Sequence, residues 1–241
     1  MDGMGTKGEI MYHYLEDKEF QHAMKNFAGK IMQSLCHILK EDYDIGANFH
    51  LVGSGAKNLI LQNARTPVDL DYNLEIIRCD DFQDCQYLKE CVRKSFDKAF
   101  NSHHSLSGTC YDNIFLTCED STSCLTSKPM VIKPWNQILF SIDVGIVMKD
   151  NDEKYHRLIH EKTGSTYFDK YYWNIAPNSK KLQKKVDHIK NCGKWPLVRQ
   201  QYRNIKNNYL VKNDSRHSQS FICYIEAVNN VYNSIKYLKK I

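Results

Sequence analysis

The sequence contains no long hydrophobic run and no apolar segment at its start. Its longest apolar stretch, ILFSIDVGIVM at 138–148, is interrupted by serine, aspartate and glycine, and it is far shorter than the ~20 residues of a membrane-spanning helix. The first residues, MDGMGTKGEIMYHYLEDKEF, are acidic and polar, whereas a secretory signal has a basic start and an apolar run. We therefore expect an intracellular, cytoplasmic protein without a membrane partner.

Closely spaced cysteine pairs are also missing, although the chain contains nine cysteines. An odd number of cysteines in a chain without an export signal favours reduced thiols over disulfides. Zinc-binding motifs place two cysteines about two to four residues apart. No pair here has that spacing, and Cys79, Cys85 and Cys91 are each separated by six positions. A zinc site is therefore not expected.

Internal repeats and low-complexity segments are absent as well. Hydrophobic residues make up 42% and charged residues 25% of the chain, which is the composition of an ordinary globular protein. A length of 241 residues can bury a substantial core in one large domain or in two smaller ones.

Basic charge is concentrated at the C-terminal end. Residues 1–177 contain 19 Lys and Arg against 25 Asp and Glu, a net charge of −6, whereas residues 178–241 contain 14 against 3, a net charge of +11. This distribution indicates a region that meets a polyanion, such as a nucleoside triphosphate or a nucleic acid, or else helix faces that are simply solvated. We divide the chain accordingly into an N-terminal domain, 1–177, and a basic helical region, 178–241, that packs on it.

Hydrophobic spacing predicts helices at both ends of the chain. Between residues 9 and 40, an amphipathic helix is indicated by apolar residues at three- and four-residue steps: Phe20, Met24, Phe27, Ile31, Leu35 and Ile38. From about 178 onward the pattern is helical again, and the last segment has an apolar stripe: Phe221, Ile225, Val228, Tyr232 and Ile235.

The segment YFDKYYW at 167–173 is rich in aromatic residues. These side chains could stack on a base, but we favour the interpretation that they form aromatic core at a domain junction.

Two segments near residue 60 combine a glycine turn with a strand. FHLVGSG at 49–55 is an apolar run that ends in a turn, and a short helical segment follows it. VDLDYNLEI at 68–76 alternates, so that its apolar residues share one face and Asp69, Asp71, Asn73 and Glu75 share the other. Two aspartates one residue apart on a strand lie about 6 to 7 Å apart at the backbone, so both carboxylates can reach one site for a hard cation.

ILFSIDVGIVM predicts a second strand that carries an acidic residue. Its large apolar residues point one way, whereas Ser141, Asp143 and Gly145 point the other. The two small neighbours leave room beside the Asp143 carboxylate for an ion or a substrate, and a lone aspartate in an apolar strand is costly unless it is paired or liganded. Each feature alone is common, but their order along the chain is restrictive.

This ordered set resembles the nucleotidyltransferase superfamily typified by DNA polymerase β, which includes antibiotic nucleotidyltransferases, oligoadenylate synthetases and bacterial cyclic-oligonucleotide synthases. The resemblance covers residues 49 to about 147 and implies an α+β fold with a small mixed sheet, flanking helices and a helical C-terminal region. The Gly-Ser pair that binds the β and γ phosphates matches Gly53 and Ser54. The paired acidic residues match Asp69 and Asp71, and the third acidic residue matches Asp143.

The resemblance implies an enzyme that transfers a nucleoside monophosphate from a triphosphate, such as ATP, to an acceptor hydroxyl and releases pyrophosphate. Asp69 and Asp71 would hold two Mg²⁺ ions, which Mn²⁺ could replace, and Asp143 would hold the ion on the acceptor side and assist removal of the acceptor proton. Lys57, near the turn, could contact the phosphates. Two alternatives remain open: a nucleic-acid-binding module that uses the basic C-terminal region, and a catalytically silent regulatory or toxin–antitoxin protein on the same fold. The acceptor is not identified by the sequence.

Overall fold

The structure, a computed structural model, describes residues 11–63, 66–104, 115–135, 138–177, 180–211 and 220–238. Contacts divide the chain into two compact units, of which the larger comprises Glu16–Asn58 and Pro67–Asn178. The smaller comprises Met1–Leu15, Leu59–Thr66 and Ser179–Ile241. Two short segments of the front half thus belong with the C-terminal helices, and the functional division at residue 177 stays a prediction.

Helices and strands alternate through the front half, and helices alone occupy the described part of the last 60 or so residues. In chain order the elements are β1 (Tyr12–Tyr14), α1 (Lys18–Tyr43), β2 (Gly46–Leu51), α2 (Gly53–Lys57), β3 (Leu61–Asn63), β4 (Val68–Arg78), α3 (Cys85–His104), β5 (Glu119–Asp120), β6 (Leu125–Thr126), β7 (Phe140–Lys149), β8 (Tyr155–Glu161), β9 (Lys170–Ile175), α4 (Lys180–Asn191), α5 (Trp195–Val211) and α6 (Ser220–Leu238).

A mixed sheet of seven strands is the centre of the larger unit. Its strand order is β2-β4-β7-β6-β5, and β8 pairs with both β7 and β9. The central pair β4 and β7 is parallel, whereas the remaining pairs are antiparallel. Helices flank a mixed sheet in this arrangement, so the predicted α+β class is confirmed.

One face of the two central strands is apolar and covered by helices. On β4 and β7 the predicted apolar faces are buried, with no side chain more than 4% exposed: Val68, Leu70, Tyr72, Leu74, Ile76, Phe140, Ile142, Val144 and Ile146. Phe20 and Phe27 of α1 meet Phe140 edge-on, with ring centroids 6.5 and 6.4 Å apart. Because this face is filled by the core, the opposite face of β4 and β7 is the one that can present polar side chains.

Helix α1 begins later than the sequence pattern suggests. The predicted helix extends from residue 9, but Tyr12–Tyr14 form β1, and α1 begins at Lys18. Asp17 sets this start, because its Oδ1 accepts a hydrogen bond from the Phe20 backbone N–H at 2.8 Å. Further along, the predicted positions Phe27 and Ile38 are only half-buried, whereas Ala28, Met32 and Leu39 are fully buried. The predicted helical periodicity is confirmed, but the prediction that the helix extends from residue 9 is wrong.

The smaller unit has its own core between α4, α5 and α6, joined by Tyr14 and Leu59 near the β1–β3 pair. In α6 the buried side chains are Cys223, Tyr224, Ala227, Val228, Val231 and Ile235. The predicted stripe is therefore rotated by part of a turn, and Phe221 is 49% exposed. None of the helices in the described ranges combines the length and the hydrophobicity needed to cross a membrane.

The aromatic segment at 167–173 leads into edge strand β9. Tyr167, Phe168 and Tyr172 are 88%, 64% and 41% exposed, so the interpretation of this segment as aromatic core is wrong for these three residues. Trp173 is fixed, since its Nε1 donates to the Phe82 carbonyl at 2.6 Å.

A buried charge network anchors strand β8. The His160 ring contacts two carboxylates, with Nδ1 at 2.9 Å from Asp120 Oδ2 and Nε2 at 3.0 Å from Asp169 Oδ2. Lys89 Nζ lies 2.6 Å from Asp120 Oδ1 and is itself buried. Paired charges of this kind are costly to separate inside a protein. The network therefore ties β8 to β5, to α3 and to the residue before β9.

Candidate active site

The three predicted acidic residues lie together on the polar face of the two central strands. In the parallel β4–β7 pair, Asp71 is the direct register partner of Asp143, and Asp69 is the partner of Ser141. Side chains of paired residues point to the same face of a sheet. The structure therefore brings Asp69, Asp71 and Asp143 into one site, as the spacing and alternation predict.

Asp71, like Asp143, is half-buried, whereas Asp69 is exposed. Burial and the neighbouring Asp69 charge raise the pKa of Asp71, while Lys57 and Arg157 act in the opposite direction. The Ser54 backbone N–H donates a hydrogen bond to the carboxylate. A carboxyl group that is buried beside a second carboxylate is stabilised when a cation binds to it.

Asp143 also has a raised pKa, and here the shift is large. Burial, followed by the charges of Asp69 and Asp71, raises the pKa of its carboxyl to about 6, although the Thr126 hydroxyl acts against this increase. Thr126 Oγ1 donates to Asp143 Oδ1 at 2.6 Å, and the two residues are register partners across β6 and β7. Asp143 is thus held in place by one hydroxyl.

Asp69 is exposed and is positioned by the neighbouring strand. Ser141 Oγ donates to Asp69 Oδ1 at 2.6 Å, and Ser141 is buried. The sequence pattern suggests only that Ser141 is small. The structure shows that its hydroxyl also orients the Asp69 carboxylate.

The Gly53–Ser54 turn approaches the acids from the β2 side. Val52 N donates to the Asp71 carbonyl at 2.8 Å, which fixes the turn next to β4. Gly53 has φ +61, and a Cβ atom at this position would lie 1.9 Å from Asp71 Oδ2. Only glycine fits here, for reasons of both conformation and space. The turn is packed directly against the carboxylate of Asp71.

Lys57 lies at the end of the short helix α2. Its Nζ donates to the Gly53 carbonyl at 3.1 Å, so the side chain folds back onto the turn. Burial lowers its pKa, and the charge of Asp71 raises it in part. The ammonium group is therefore electrostatically coupled to Asp71, and its predicted contact with phosphates stays a prediction.

Three further side chains belong to this site and were not predicted as functional: Ser141, Thr126 and Arg157. Ser141 and Thr126 each donate a hydrogen bond to one catalytic candidate, and Arg157 acts on the charge of Asp71. Their roles depend on the pairing of β7 with β4, β6 and β8. The only signal in the sequence was the placement of Ser141 on the same strand face as Asp143.

The donor set fits a hard divalent cation. Carboxylate oxygens are the ligands that Mg²⁺ and Mn²⁺ prefer, and burial, followed by the charge of neighbouring aspartates, raises the pKa values of Asp71 and Asp143. Within the described ranges, no group of three or more His, Cys, Asp or Glu side chains is arranged to hold a metal ion by itself. Mg²⁺ usually takes one or two carboxylates together with water and substrate phosphates. The residues therefore fit a site that substrate and protein complete together.

Basic side chains of the smaller unit have two kinds of environment. Lys185 donates to Asn229 Oδ1 at 2.6 Å, and the Arg199 guanidinium lies 4.2 Å from the centre of the Tyr14 ring. By contrast, Lys181 and Lys184 of α4 are exposed. Part of the basic excess thus serves packing within this unit, and part faces solvent.

Neither a family model nor a curated protein matches the sequence. Solved structures do share its fold. CdnC from E. coli MS115-1, solved with ATP, aligns with a TM-score of 0.51 and 16% identity over 88% of this chain and 59% of that one. DncV from Vibrio cholerae, in its 3'-deoxy GTP bound form, aligns with a TM-score of 0.60 and 13% identity over 90% and 67%.

A third structure is the cyclic dinucleotide synthase CdnE from Elizabethkingia meningoseptica, solved with GTP and Apcpp. It aligns with a TM-score of 0.50 and 13% identity over 92% of this chain and 72% of that one. The chain spans only about three fifths of the length of CdnC, 59% and 60% in two structures. At these identities the likeness concerns the fold alone.

Proposed function

We propose that this chain is a metal-dependent nucleotidyltransferase, which moves a nucleoside monophosphate from a nucleoside triphosphate to an acceptor hydroxyl and releases pyrophosphate. The observation that carries the proposal is the pairing of Asp71 with Asp143 across the parallel strands, with Asp69 on the same face. Three carboxylates on one polar sheet face, two of them with raised pKa values, are unfavourable without a cation.

The acidic residues have distinct tasks in this proposal. Asp69 and Asp71 would hold two Mg²⁺ ions, and Asp143 would share the ion on the acceptor side. When bound, a pair of such ions stabilises both the attacking and the leaving oxygen of an in-line displacement at phosphorus. Ser141 and Thr126 keep Asp69 and Asp143 in position by the hydrogen bonds they donate at 2.6 Å.

The turn residues would bind the leaving group. Gly53 lets the backbone approach closely, Ser54 offers a hydroxyl and a backbone N–H, and Lys57 supplies a positive charge at the same end of the site. Together they would hold the β and γ phosphates of the triphosphate. Asp143, which would share the ion on the acceptor side, would assist removal of the proton of the attacking hydroxyl.

ATP and GTP are the first triphosphates to test, because CdnC was solved with ATP and CdnE with GTP. The likeness to these proteins supports the fold of a nucleotide-transferring enzyme and leaves the product open. In this proposal the acceptor is a small molecule, another nucleotide, an RNA end or a protein side chain.

The silent-protein alternative is the less favoured one, because all three acidic positions are filled and each carboxylate has a hydrogen-bonded partner that orients it. A pure binding module gives no reason for this orientation.

The test is to incubate the full chain with each α-labelled nucleoside triphosphate, Mg²⁺ or Mn²⁺, and a panel of acceptors, and to determine product masses. A product heavier than the acceptor by one nucleotide, formed together with pyrophosphate, supports the proposal. Binding of triphosphate without any such product, across the whole panel, contradicts it.

A further inference from the structure

The hairpin formed by β5 and β6 carries Thr126, the residue whose hydroxyl donates to Asp143. Its two strands contain two residues each, and β6 pairs with β7 over two residues only. So short a ladder has few backbone hydrogen bonds to fix the angle at which β6 lies against β7. The position of the Thr126 hydroxyl therefore also depends on what holds the rest of the hairpin.

The outer end of this hairpin is held by α3 and β8 at three successive residues. Lys89 Nζ of α3 lies 2.6 Å from Asp120 Oδ1 and donates to the Ser121 carbonyl at 2.9 Å. The His160 backbone N–H of β8 donates to the Thr122 carbonyl at 2.8 Å. The hairpin is thus fixed from two elements that do not belong to the acidic site.

Asp120 is the centre of these contacts. Its Oδ2 lies 2.9 Å from His160 Nδ1, its Oδ1 faces Lys89, and its carbonyl accepts a hydrogen bond from Lys162 Nζ. Lys89 and His160 are buried, at 3% and 5% exposure. Because a buried charge that loses its partner is costly, these contacts hold the Asp120 side chain in one place.

Strand pairing connects Asp120 to the acidic site. Asp120 is the register partner of Leu125, and the next residue, Thr126, is the register partner of Asp143. Thr126 Oγ1 lies 2.6 Å from Asp143 Oδ1, a distance at which a hydrogen bond weakens once the two oxygens move apart. A displacement of β5 would therefore reach the Asp143 carboxylate through one pair of residues.

A second carboxylate on the same histidine offers an internal comparison. Asp169 Oδ2 lies 3.0 Å from His160 Nε2, and Asp169 Oδ1 accepts from the Thr163 backbone N–H at 2.8 Å. Neither contact involves the hairpin, since Asp169 lies just before β9. A network that only stabilises the fold would use both carboxylates alike, whereas a network that positions Asp143 would depend on Asp120.

We propose that Asp120 is a positioning residue, which acts through the β5–β6 hairpin to hold the Thr126 hydroxyl at Asp143. This inference rests on the proposed function and adds to it a residue that touches neither the substrate nor the reacting atoms. Loss of Asp120 should therefore slow turnover and raise the metal requirement, and it should leave the binding of ATP at the Gly53–Ser54 turn unchanged.

The test compares Asp120→Asn with Asp169→Asn in the full chain, because each variant replaces one carboxylate of the same network by an amide of similar size. Asp120→Asn is expected to lower kcat several-fold, up to the about 10- to 100-fold typical of residues that orient metal ligands, and to raise the Mg²⁺ concentration for half-maximal activity. Its KM for ATP should change less than about twofold. Asp169→Asn should keep kcat within about twofold of wild type even where it lowers the melting temperature as much.

A double-mutant cycle distinguishes positioning from a general loss of stability. If Asp120 acts through Thr126, Asp120→Asn causes no further loss of kcat in a Thr126→Val background, whereas independent effects add. Hydrogen exchange of residues 119–127, followed by mass spectrometry, needs no activity. It should be faster by about tenfold or more in Asp120→Asn and within about twofold of wild type in Asp169→Asn.

A more conservative pair of variants covers the case in which Asp120→Asn does not fold. Asp120→Glu keeps the charge and displaces it by one methylene, and Asp169→Glu makes the same change on the other side of the histidine. The two are compared by the same kinetics and the same hydrogen exchange, with the same direction expected for each.

The outcomes separate this inference from the function on which it rests. Absence of transfer and of pyrophosphate release by wild type, with every acceptor, contradicts the proposed function, and hydrogen exchange then decides by itself whether Asp120 holds the hairpin. With an active wild type, an unchanged kcat in Asp120→Asn overturns the inference alone. Equal losses in Asp120→Asn and Asp169→Asn, or losses that add in the double variant, overturn it as well.

Discussion

Asp71 and Asp143 are register partners in adjacent parallel strands, and burial, followed by the charges of Asp69 and Asp71, raises the pKa of the Asp143 carboxyl to about 6. Asp69, two residues before Asp71 on the same face of β4, adds a third negative charge. This pairing is unfavourable for the protein alone and favourable for a cation bound with substrate. Such a trade of stability for function is open to direct measurement.

Replacing Asp143 should stabilise the metal-free protein. Its pKa is raised from 3.8 to about 6 on folding, so the folded state keeps a proton that the unfolded state has lost. Stability therefore falls as the pH rises from about 4 to about 6, and it stays lower above that. Asp143→Asn, which can still accept the Thr126 hydroxyl, should raise the unfolding free energy at pH 8 by about 1 to 3 kcal/mol in the presence of EDTA.

Denaturant unfolding at pH 4 and pH 8 measures this difference. The gain should be small at pH 4, where Asp143 is protonated in the folded wild type. A destabilised Asp143→Asn at pH 8, or a gain that is independent of pH, would show that the carboxylate is not strained.

The hydroxyls beside the acids should matter for activity more than for stability. Ser141→Ala and Thr126→Val each remove one 2.6 Å hydrogen bond to a carboxylate. We expect kcat/KM to fall about 10- to 100-fold and the Mg²⁺ concentration for half-maximal activity to rise, as with other residues that orient metal ligands. Ser102→Ala, which removes a hydroxyl bonded to the Ala99 carbonyl on α3, is the control. Equal activity of all three variants would contradict the positioning role.

Gly53 is expected to tolerate no side chain. In Gly53→Ala the new Cβ would lie 1.9 Å from Asp71 Oδ2, so the carboxylate must leave its place. Activity should fall more than about a hundredfold, which corresponds to the loss of a well-placed catalytic group. Gly193→Ala is a matched control, because Gly193 has φ +66 and no atom within 4 Å of the added Cβ. If both variants lose activity alike, backbone strain explains the effect and contact with Asp71 does not.

Alternation in the sequence was sufficient to place Asp69, Asp71 and Asp143 on the polar side, because one face of β4 and β7 is apolar throughout. The register between β7 and its neighbouring strands was not predictable, because it depends on which strands pair. For the same reason the sequence did not reveal the roles of Ser141, Thr126 and Arg157. The start of α1 depends on one cap at Asp17, which the hydrophobic period does not detect. The exposure of Tyr167 follows from its place before an edge strand, for which aromatic composition gives no signal.

The exposed lysines of α4 give a test of the nucleic-acid alternative. If Lys181 and Lys184 contact phosphates, RNA binding should weaken steeply with salt, and Lys181→Gln with Lys184→Gln should lower the slope of log K against log salt by about one per lysine. Lys30→Gln, at an exposed position of α1, is the control. Fluorescence anisotropy with a labelled single-stranded RNA, repeated at several salt concentrations, measures this slope for each protein. Binding that does not depend on salt would exclude this contact.

Pyrophosphate release by wild type and Asp71→Asn tests the central claim most directly. The proposal predicts that wild type releases pyrophosphate from ATP or GTP with Mg²⁺ or Mn²⁺ and stops when EDTA is added. Asp71→Asn should be slower by at least about a thousandfold at an unchanged or higher melting temperature, since it lacks a residue that holds the ions. Full turnover by Asp71→Asn, or wild-type turnover that persists in EDTA, would contradict the account.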